Sequence, residues 1–499
     1  MTKAMNCDKI ALDKFCDRRI NMNYIINDRN PKALYEYFED ICSIPHGSGN
    51  ESAIAAMLTE FADKNGLYSK RDANNNVLIV RPASRGYEGH PSVMIQGHTD
   101  MVCEADDGCN IDFAKDPLTL KYDGKYLTAD KTTLGADDGV AVAIMMALLT
   151  DPDLKAPQIE CLFTTEEETG LTGASTFDYG NISARRMINL DTGGEVVIVS
   201  CAGGMRTRML SSYAPETAKG DFLKLEITGL AGGHSGVDIH LGRANSNLLM
   251  LELVSEMRKQ TSAHIVDMAG GSKDNAIPSR TQATVAVGDL KLVEKIAVEW
   301  AKSVKSRLIE DDAEFKLNVQ PVHDAEFSGP APDFTSRLLA LTEKLPKGVI
   351  KYNDEIGMVV TSLNYAIISV KTDKFELHLS SRSSESAELD KMTEILACNA
   401  KEYGFESVTD SRYEGWAYDE NSPIRDEYVR AYKDVTGKDI PVMGIHAGLE
   451  CGIIKLAVPE MDIIATGAIT IGEHTTKEAL DLDSFGRVYG IVKLLCERL

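Results

Sequence analysis

The sequence predicts an α/β fold in which one discontinuous domain is interrupted by an inserted α+β domain, and three observations carry that reading. Residues 31–203 alternate helical periodicity with short apolar runs. From 204 to 413 the rhythm becomes β-α-β-β-α-β and then largely repeats. After 414 the first pattern returns. A chain of 499 residues is also too long for one ordinary hydrophobic core, which favours at least two domains. The expected limits are an N-terminal extension over 1–28, catalytic segments over 29–203 and 414–499, and an inserted lid over 204–413.

In the first catalytic segment Leu34, Phe38 and Ile41 space as one helix face, and Met57, Leu58 and Phe61 as another. Residues 77–80, 93–96, 159–164 and 187–190 are short apolar runs of the kind that form strands buried on both sides. The run over 140–149 is helical and opens on the pair Asp137-Asp138. This is a sheet with helices on both faces. The chemistry-bearing residues come just after the apolar runs, at the C-terminal ends of strands, where open α/β sheets place their sites.

The lid reads as two ferredoxin-like halves. Strands over 222–230, 265–270, 281–287 and 314–319 alternate with helices over 243–259 and 291–308. A second set follows: helix 334–343, strands near 358, over 364–371 and over 374–380, helix 386–402 and strand 407–413. The closing segment adds helix 423–436, strand 461–466 and helix 482–499. Because His474 lies there while its proposed co-ligands precede residue 192, the catalytic domain is expected to be discontinuous.

Composition narrows the function. A formal net charge of -23 disfavours nucleic acid and anionic membranes, both of which need a basic footprint. Ten cysteines are scattered without a Cys-x-x-Cys pair, as expected of reduced thiols in a cytoplasmic protein. Residues 1–28 hold several charges and no apolar run of signal-peptide type, and Met22 is a plausible alternative start.

Five segments carry the chemistry: His98-Thr99-Asp100, Gly135-Ala136-Asp137-Asp138-Gly139, Thr165-Glu166-Glu167-Glu168-Thr169-Gly170, Asn189-Leu190-Asp191 and Gly472-Glu473-His474. Singly each has an ordinary structural role, such as a hydrogen-bonded strand-end histidine, an aspartate helix cap or a solvated glutamate face. Together they supply what two adjacent cations need: imidazoles, a bridging carboxylate and terminal carboxylates. His98 and His474 are the imidazoles, Asp137 the expected bridge, and Glu168 and Asp191 the terminal ligands. Three adjacent glutamates at a buried strand end repel one another unless a cation offsets them. One ligand, Glu168, and one general base, Glu167, is the simplest division. Asp100 stands two residues from His98 and so faces the same side of an extended strand, from which it could orient the imidazole.

These residues resemble the aminoacylhistidine dipeptidases (Xaa-His dipeptidases, relatives of carnosinase), a branch of the di-zinc exopeptidases related to peptidase T and carboxypeptidase G. The resemblance covers nearly the whole chain from about residue 31 and is strongest over 96–104, 134–139, 232–240 and 446–452. It implies one zinc on His98, Asp137 and Asp191, and another on Asp137, Glu168 and His474. It also implies Glu167 as base, Asp100 behind His98, a cis peptide between Asp137 and Asp138, and manganese or cobalt as substitute metals. From the lid it implies His234 as oxyanion stabiliser, with Asn275, Arg382 and Gly448 holding the substrate. A guanidinium suits a free C-terminal carboxylate because it can bond both oxygens.

The expected function is metal-dependent hydrolysis of unblocked dipeptides, including Xaa-His, in the cytoplasm. Aspartate at 191 goes with dipeptidase or aminopeptidase action in the resembled group. The expected partner is a small peptide, with no nucleic acid or membrane and a homodimer left open. Doubling of the lid implies that one subunit could supply the whole site. The rivals are an N-acyl amino-acid deacylase, a broad aminopeptidase of the same fold, and a non-enzymatic metal-binding scaffold.

Overall fold

The computed structural model of the chain describes residues 23–499. Met22 and most of the expected N-terminal extension therefore lie outside the described residues. The chain forms two compact units. The first runs to Ser200 and resumes over Tyr418–Gly444 and Leu449–Leu499, and the second comprises Cys201–Ala417 and Ile445–Gly448. The sequence reading had placed 445–448 in the closing catalytic segment. Within the second unit, however, the Ala202 N–H donates to the carbonyls of Ile445 and Ala447, at 3.1 and 3.0 Å. Gly448 thus shares a unit with His234, Asn275 and Arg382.

The first unit is built on an eight-stranded sheet. Its strands lie in the order Tyr68–Arg71, Val77–Arg81, Ile159–Thr164, Val93–His98, Arg186–Asn189, Asp462–Ala465, Val197–Cys201 and Val442–Ile445. The centre is parallel: Val93–His98 pairs with Ile159–Thr164 and Arg186–Asn189, which in turn pairs with Asp462–Ala465. Val93–His98 and Ile159–Thr164 are buried at every position, which is why they read as unbroken apolar runs. The parallel strands point one way, so their C-terminal ends bring His98, Thr165 and the residues after Asn189 to a single edge.

Helix Ala136–Thr150 is buried almost throughout, so its sequence is apolar all round rather than on one stripe. Asp137 (φ -84°, ψ 103°) and Asp138 (φ -119°, ψ 36°) are not helical, and the peptide between them is cis. Asp138 caps the helix proper, its Oδ1 accepting the Ala141 N–H at 3.3 Å. Asp137 is thereby left projecting at the helix mouth.

The second unit holds a nine-stranded sheet. From one edge its strands are Lys316–Gly329, Glu216–Thr228, Thr281–Val287 and Ala263–Gly270. From the other edge they are Glu406–Tyr413, Gly203–Ser212, Lys374–Ser383 and Met358–Val370. Gly348–Asn353 is paired onto the last of these. The two sets have the same spatial order, and they join where Met268, Ala269 and Gly270 pair with Val370, Ser369 and Ile368.

One expectation is corrected here. The second half is not confined to 330–413, because its first strand is Gly203–Ser212, which precedes the whole first half. Met205, Thr207 and Met209 face inward on that strand, and the alternating Arg206 and Arg208 hid its apolar face. The strands expected near 358 and over 364–371 are one strand with a bulge between Tyr365 and Ile367. The strand expected over 314–319 extends to Gly329 through a largely exposed polar stretch.

Among the described residues no helix is long and apolar enough to cross a membrane, and no disulfide forms.

Candidate metal centre

All five chemistry-bearing segments lie in the first unit. His98 closes its strand, Glu167 and Glu168 follow the Ile159–Thr164 strand, and Asp191 follows Arg186–Asn189. His474 is presented from a turn in which its own φ is +61°. The side chains gather into three groups, His98–Asp137–Asp191, Asp137–Glu168–His474 and His98–Glu167–Glu168, in each of which the ligating atoms lie within 4.8 Å of one another. Asp137 belongs to the first two. Its Oδ1 is 3.0 Å from His98 Nε2 and its Oδ2 is 3.0 Å from His474 Nε2. Glu168 Oε1 lies 2.9 Å from His474 Nε2, and Asp191 Oδ1 lies 3.9 Å from His98 Nε2.

The protonation of His98 tests whether cations fit. Its Nδ1–H donates to the main-chain carbonyl of Asp100 at 3.0 Å, which leaves Nε2 with a lone pair in the neutral ring. A lone pair facing a carboxylate oxygen at 3.0 Å is repulsive unless a proton or a cation lies between them. Without a cation the site recruits protons. Burial alone would discharge His98, but its contacts with Asp100 and Asp137 hold its pKa well above the ordinary value. Asp137 and Glu168 likewise push His474 up to about 10. Burial drives Asp191 well up and Glu167 to about 8, whereas Asp137, for all its burial, is brought low by its two histidines. Four carboxylates around two imidazoles are a donor set suited to divalent cations.

Asp100 stands behind His98 as the strand spacing implied, and it does more. Its carbonyl, not its carboxylate, is the nearer partner of His98, the carboxylate oxygen being 3.4 Å away. The carboxylate accepts the Ser48 hydroxyl at 2.8 Å and the amides of Glu167 and Glu168 at 3.1 and 3.3 Å. It fixes the glutamate loop against the histidine strand.

Beneath the ligands lies a polar network that the sequence reading missed. Glu450 Oε2 accepts from Gln96 Nε2 at 2.5 Å and from the Thr164 hydroxyl at 2.7 Å. Gln96 Oε1 accepts from Asn189 Nδ2 at 2.7 Å, and Asn189 Oδ1 accepts the Asp191 amide at 3.3 Å. The network ties together the ends of the three strands that carry His98, the glutamates and Asp191. Its signal in the sequence is a glutamine and an asparagine, both buried, within apolar strand runs.

His234, Asn275, Arg382 and Gly448 lie in the second unit. His234 Nδ1 accepts the amides of Gly236 and Val237 at 3.3 and 3.1 Å, which puts the ring proton on Nε2. The Asn275 carbonyl accepts the Ser235 amide at 2.8 Å. Arg382 Nη1 donates to Tyr413 Oη at 3.0 Å, while its buried Nε has no hydrogen-bond partner. A Cβ on Gly448 would come within 2.9 Å of the same tyrosine ring. Two residues to which the sequence reading assigned no site role join this cluster. Tyr413 is one, and His446 is the other, its Nε2 2.8 Å from Ser362 Oγ and its Nδ1 unpartnered. Burial and the Arg382 charge press the His446 pKa down to about 3, so the ring is neutral.

An α/β unit with paired imidazole–carboxylate triplets and an inserted double-half lid is the architecture of a metallohydrolase. The chain is 32% identical to the cytosol non-specific dipeptidase of Escherichia coli K12, over 95% of this chain and 99% of that protein. It superposes on the crystal structure of aminoacylhistidine dipeptidase from Vibrio alginolyticus with a TM-score of 0.89 and 31% identity, covering 95% of this chain and 97% of that one. Residues 225–312, within the lid, match the peptidase dimerisation domain. Aminopeptidase PepT from Bacillus cereus shares the fold, with a TM-score of 0.53 and 15% identity over 94% of this chain and 98% of that one. The chain belongs to the M20 family of metallopeptidases, in the branch of these dipeptidases.

Proposed function

We propose that the chain hydrolyses the peptide bond of unblocked dipeptides, Xaa-His among them, at a centre that takes two zinc ions, with manganese or cobalt as substitutes. His98, Asp137 and Asp191 would hold one ion and Asp137, Glu168 and His474 the other. The observation that carries this reading is Asp137, whose two oxygens each face a different imidazole at 3.0 Å. Bound there, the cations would supply Lewis acidity and ease the ionisation of water.

The protein's own groups account for the rest. Glu167, as its carboxylate, takes the proton of the attacking water and returns it to the leaving amine. Asp100 holds the loop that aims this base. His234 carries its proton on Nε2, the form that donates to a developing oxyanion. Arg382 receives the C-terminal carboxylate, with Asn275 and Gly448 beside the peptide. The reading places the protein in the cytoplasm, in keeping with the name of its Escherichia coli relative. The dimerisation-domain match supports a homodimer, yet both lid halves reside in one chain, so a monomeric form is expected to be active.

The test is turnover of carnosine, Gly-His, Ala-Ala and an N-acetyl amino acid by zinc-, manganese- and cobalt-loaded protein. Cleavage of the free dipeptides with no action on the blocked amino acid is expected. Preference for the N-acetyl substrate would overturn the reading.

A further inference from the structure

Glu478 lies outside the five chemistry-bearing segments, four residues beyond His474, and is 3% exposed. Its carboxylate is directed wholly at backbone. Oε2 accepts the amides of Leu134 and Gly135 at 2.7 and 3.1 Å, and Oε1 those of Ala136 and Asp137 at 2.8 and 3.3 Å. Four consecutive N–H groups converge on one side chain, so the chain entering Asp137 has its amides fixed up to the aspartate itself. Backbone donors turned toward an acceptor in this way form an anion-binding concavity, here filled by the protein's own carboxylate.

The turn that carries Glu478 is the one that presents His474. The Thr475 amide donates to the Gly472 carbonyl at 3.1 Å, and the Glu478 amide donates to the Thr475 carbonyl at 3.1 Å. Residues 472–478 therefore reach the Asp137 segment at two points. One is the His474–Asp137 side-chain pair, and the other is the brace from Glu478 to the backbone.

Resting on the reading of Asp137 as the shared ligand, we infer that Glu478 is a positioning residue that holds the bridging carboxylate between its two histidines, so that both cations bind together. The two ligand loops are distant in sequence, and this brace sets their spacing. Glutamine is the informative replacement because it keeps the volume and removes acceptors. Whichever way its amide turns, one NH2 group faces two backbone N–H donors, and two buried amides lose their partner.

Zinc content is measured on the full chain after equilibrium dialysis against a graded chelator, for the wild type, Glu478→Gln, Glu478→Asp and Asp137→Asn, together with kcat and KM on a dipeptide. The wild type is expected to retain two zinc ions per chain. Glu478→Gln is expected to release the more weakly held ion at about 10- to 100-fold lower chelator strength, the usual penalty for losing a group that orients a ligand. Its kcat should fall at limiting zinc and recover at saturating zinc, with KM little changed, a recovery that a misfolded protein does not show. Glu478→Asp keeps the acceptors on a shorter arm and should fall between the two. Wild-type zinc retention in Glu478→Gln overturns the inference; if that variant does not fold, wild-type retention in Glu478→Asp does so. If Asp137→Asn keeps both ions, the shared-ligand reading itself fails. If it loses them while the Glu478 variants do not, only the role of Glu478 fails.

Discussion

Glu450→Gln should stabilise the metal-free protein in alkaline solution far more than in mild acid. Glu450 is fully buried, one oxygen accepts from Gln96 and Thr164, and the other has no hydrogen-bond partner. Burial raises its pKa from 4.5 to about 7. The folded pKa therefore exceeds the unfolded one, so the fold favours the protonated form. Below 4.5 both states hold the proton and nothing is lost. Between 4.5 and about 7 only the unfolded state ionises, and stability falls as pH rises. Above that range the folded protein carries an ionised buried carboxylate at a cost of ~3 kcal/mol. Glutamine reproduces the protonated carboxyl, since its oxygen can take both hydrogen bonds while its NH2 occupies the unpartnered side. The stability advantage of the variant should widen by about 2 kcal/mol between about pH 5.5 and about pH 8.5, read from urea titrations of chelated protein. Parallel stability curves for the two proteins across that range would refute the reasoning.

Glu167→Gln should keep both cations and lower kcat by about 10²- to 10⁴-fold with KM little changed, because the amide cannot accept the proton of the attacking water; stopped-flow and steady-state assays on zinc-loaded protein check this. Arg382→Lys should raise KM at least ~10-fold for dipeptides with a free C-terminal carboxylate and leave their C-terminal amides unaffected, since a lysine cannot bond both oxygens and loses the Tyr413 contact. Equal losses on acids and amides would remove Arg382 from carboxylate recognition.

Much of the architecture is legible in the sequence where burial is complete. The strands over 93–98 and 159–164 announce themselves as unbroken apolar runs because both faces are covered. The half-exposed strand Gly203–Ser212 was concealed by Arg206 and Arg208, and its place beside Lys374–Ser383 depends on pairing across some 170 residues that local periodicity does not encode. The site follows the same division. His98, Asp137, Glu168, Asp191 and His474 stand next to strand ends and glycines, and they gather as the joint pattern implied. Glu450, Glu478 and His446 received no site role from the sequence because each acts through partners remote along the chain: Glu450 through Gln96, Glu478 through the amides of 134–137, and His446 through Ser362. Asp100 shows the limit of spacing arguments. Its carboxylate lies 3.4 Å from His98 Nδ1 as the spacing implied, but the loop after the strand also turns that carboxylate to the Glu167 amide and brings the carbonyl nearer the imidazole.

Metal analysis of the purified protein, paired with dipeptide turnover during chelator titration, bears most directly on the shared-carboxylate centre. The expected result is two zinc ions per chain, with activity falling as they are withdrawn and both lost in Asp137→Asn. A single ion per chain, or an Asp137→Asn variant that keeps two ions and full turnover, would contradict it.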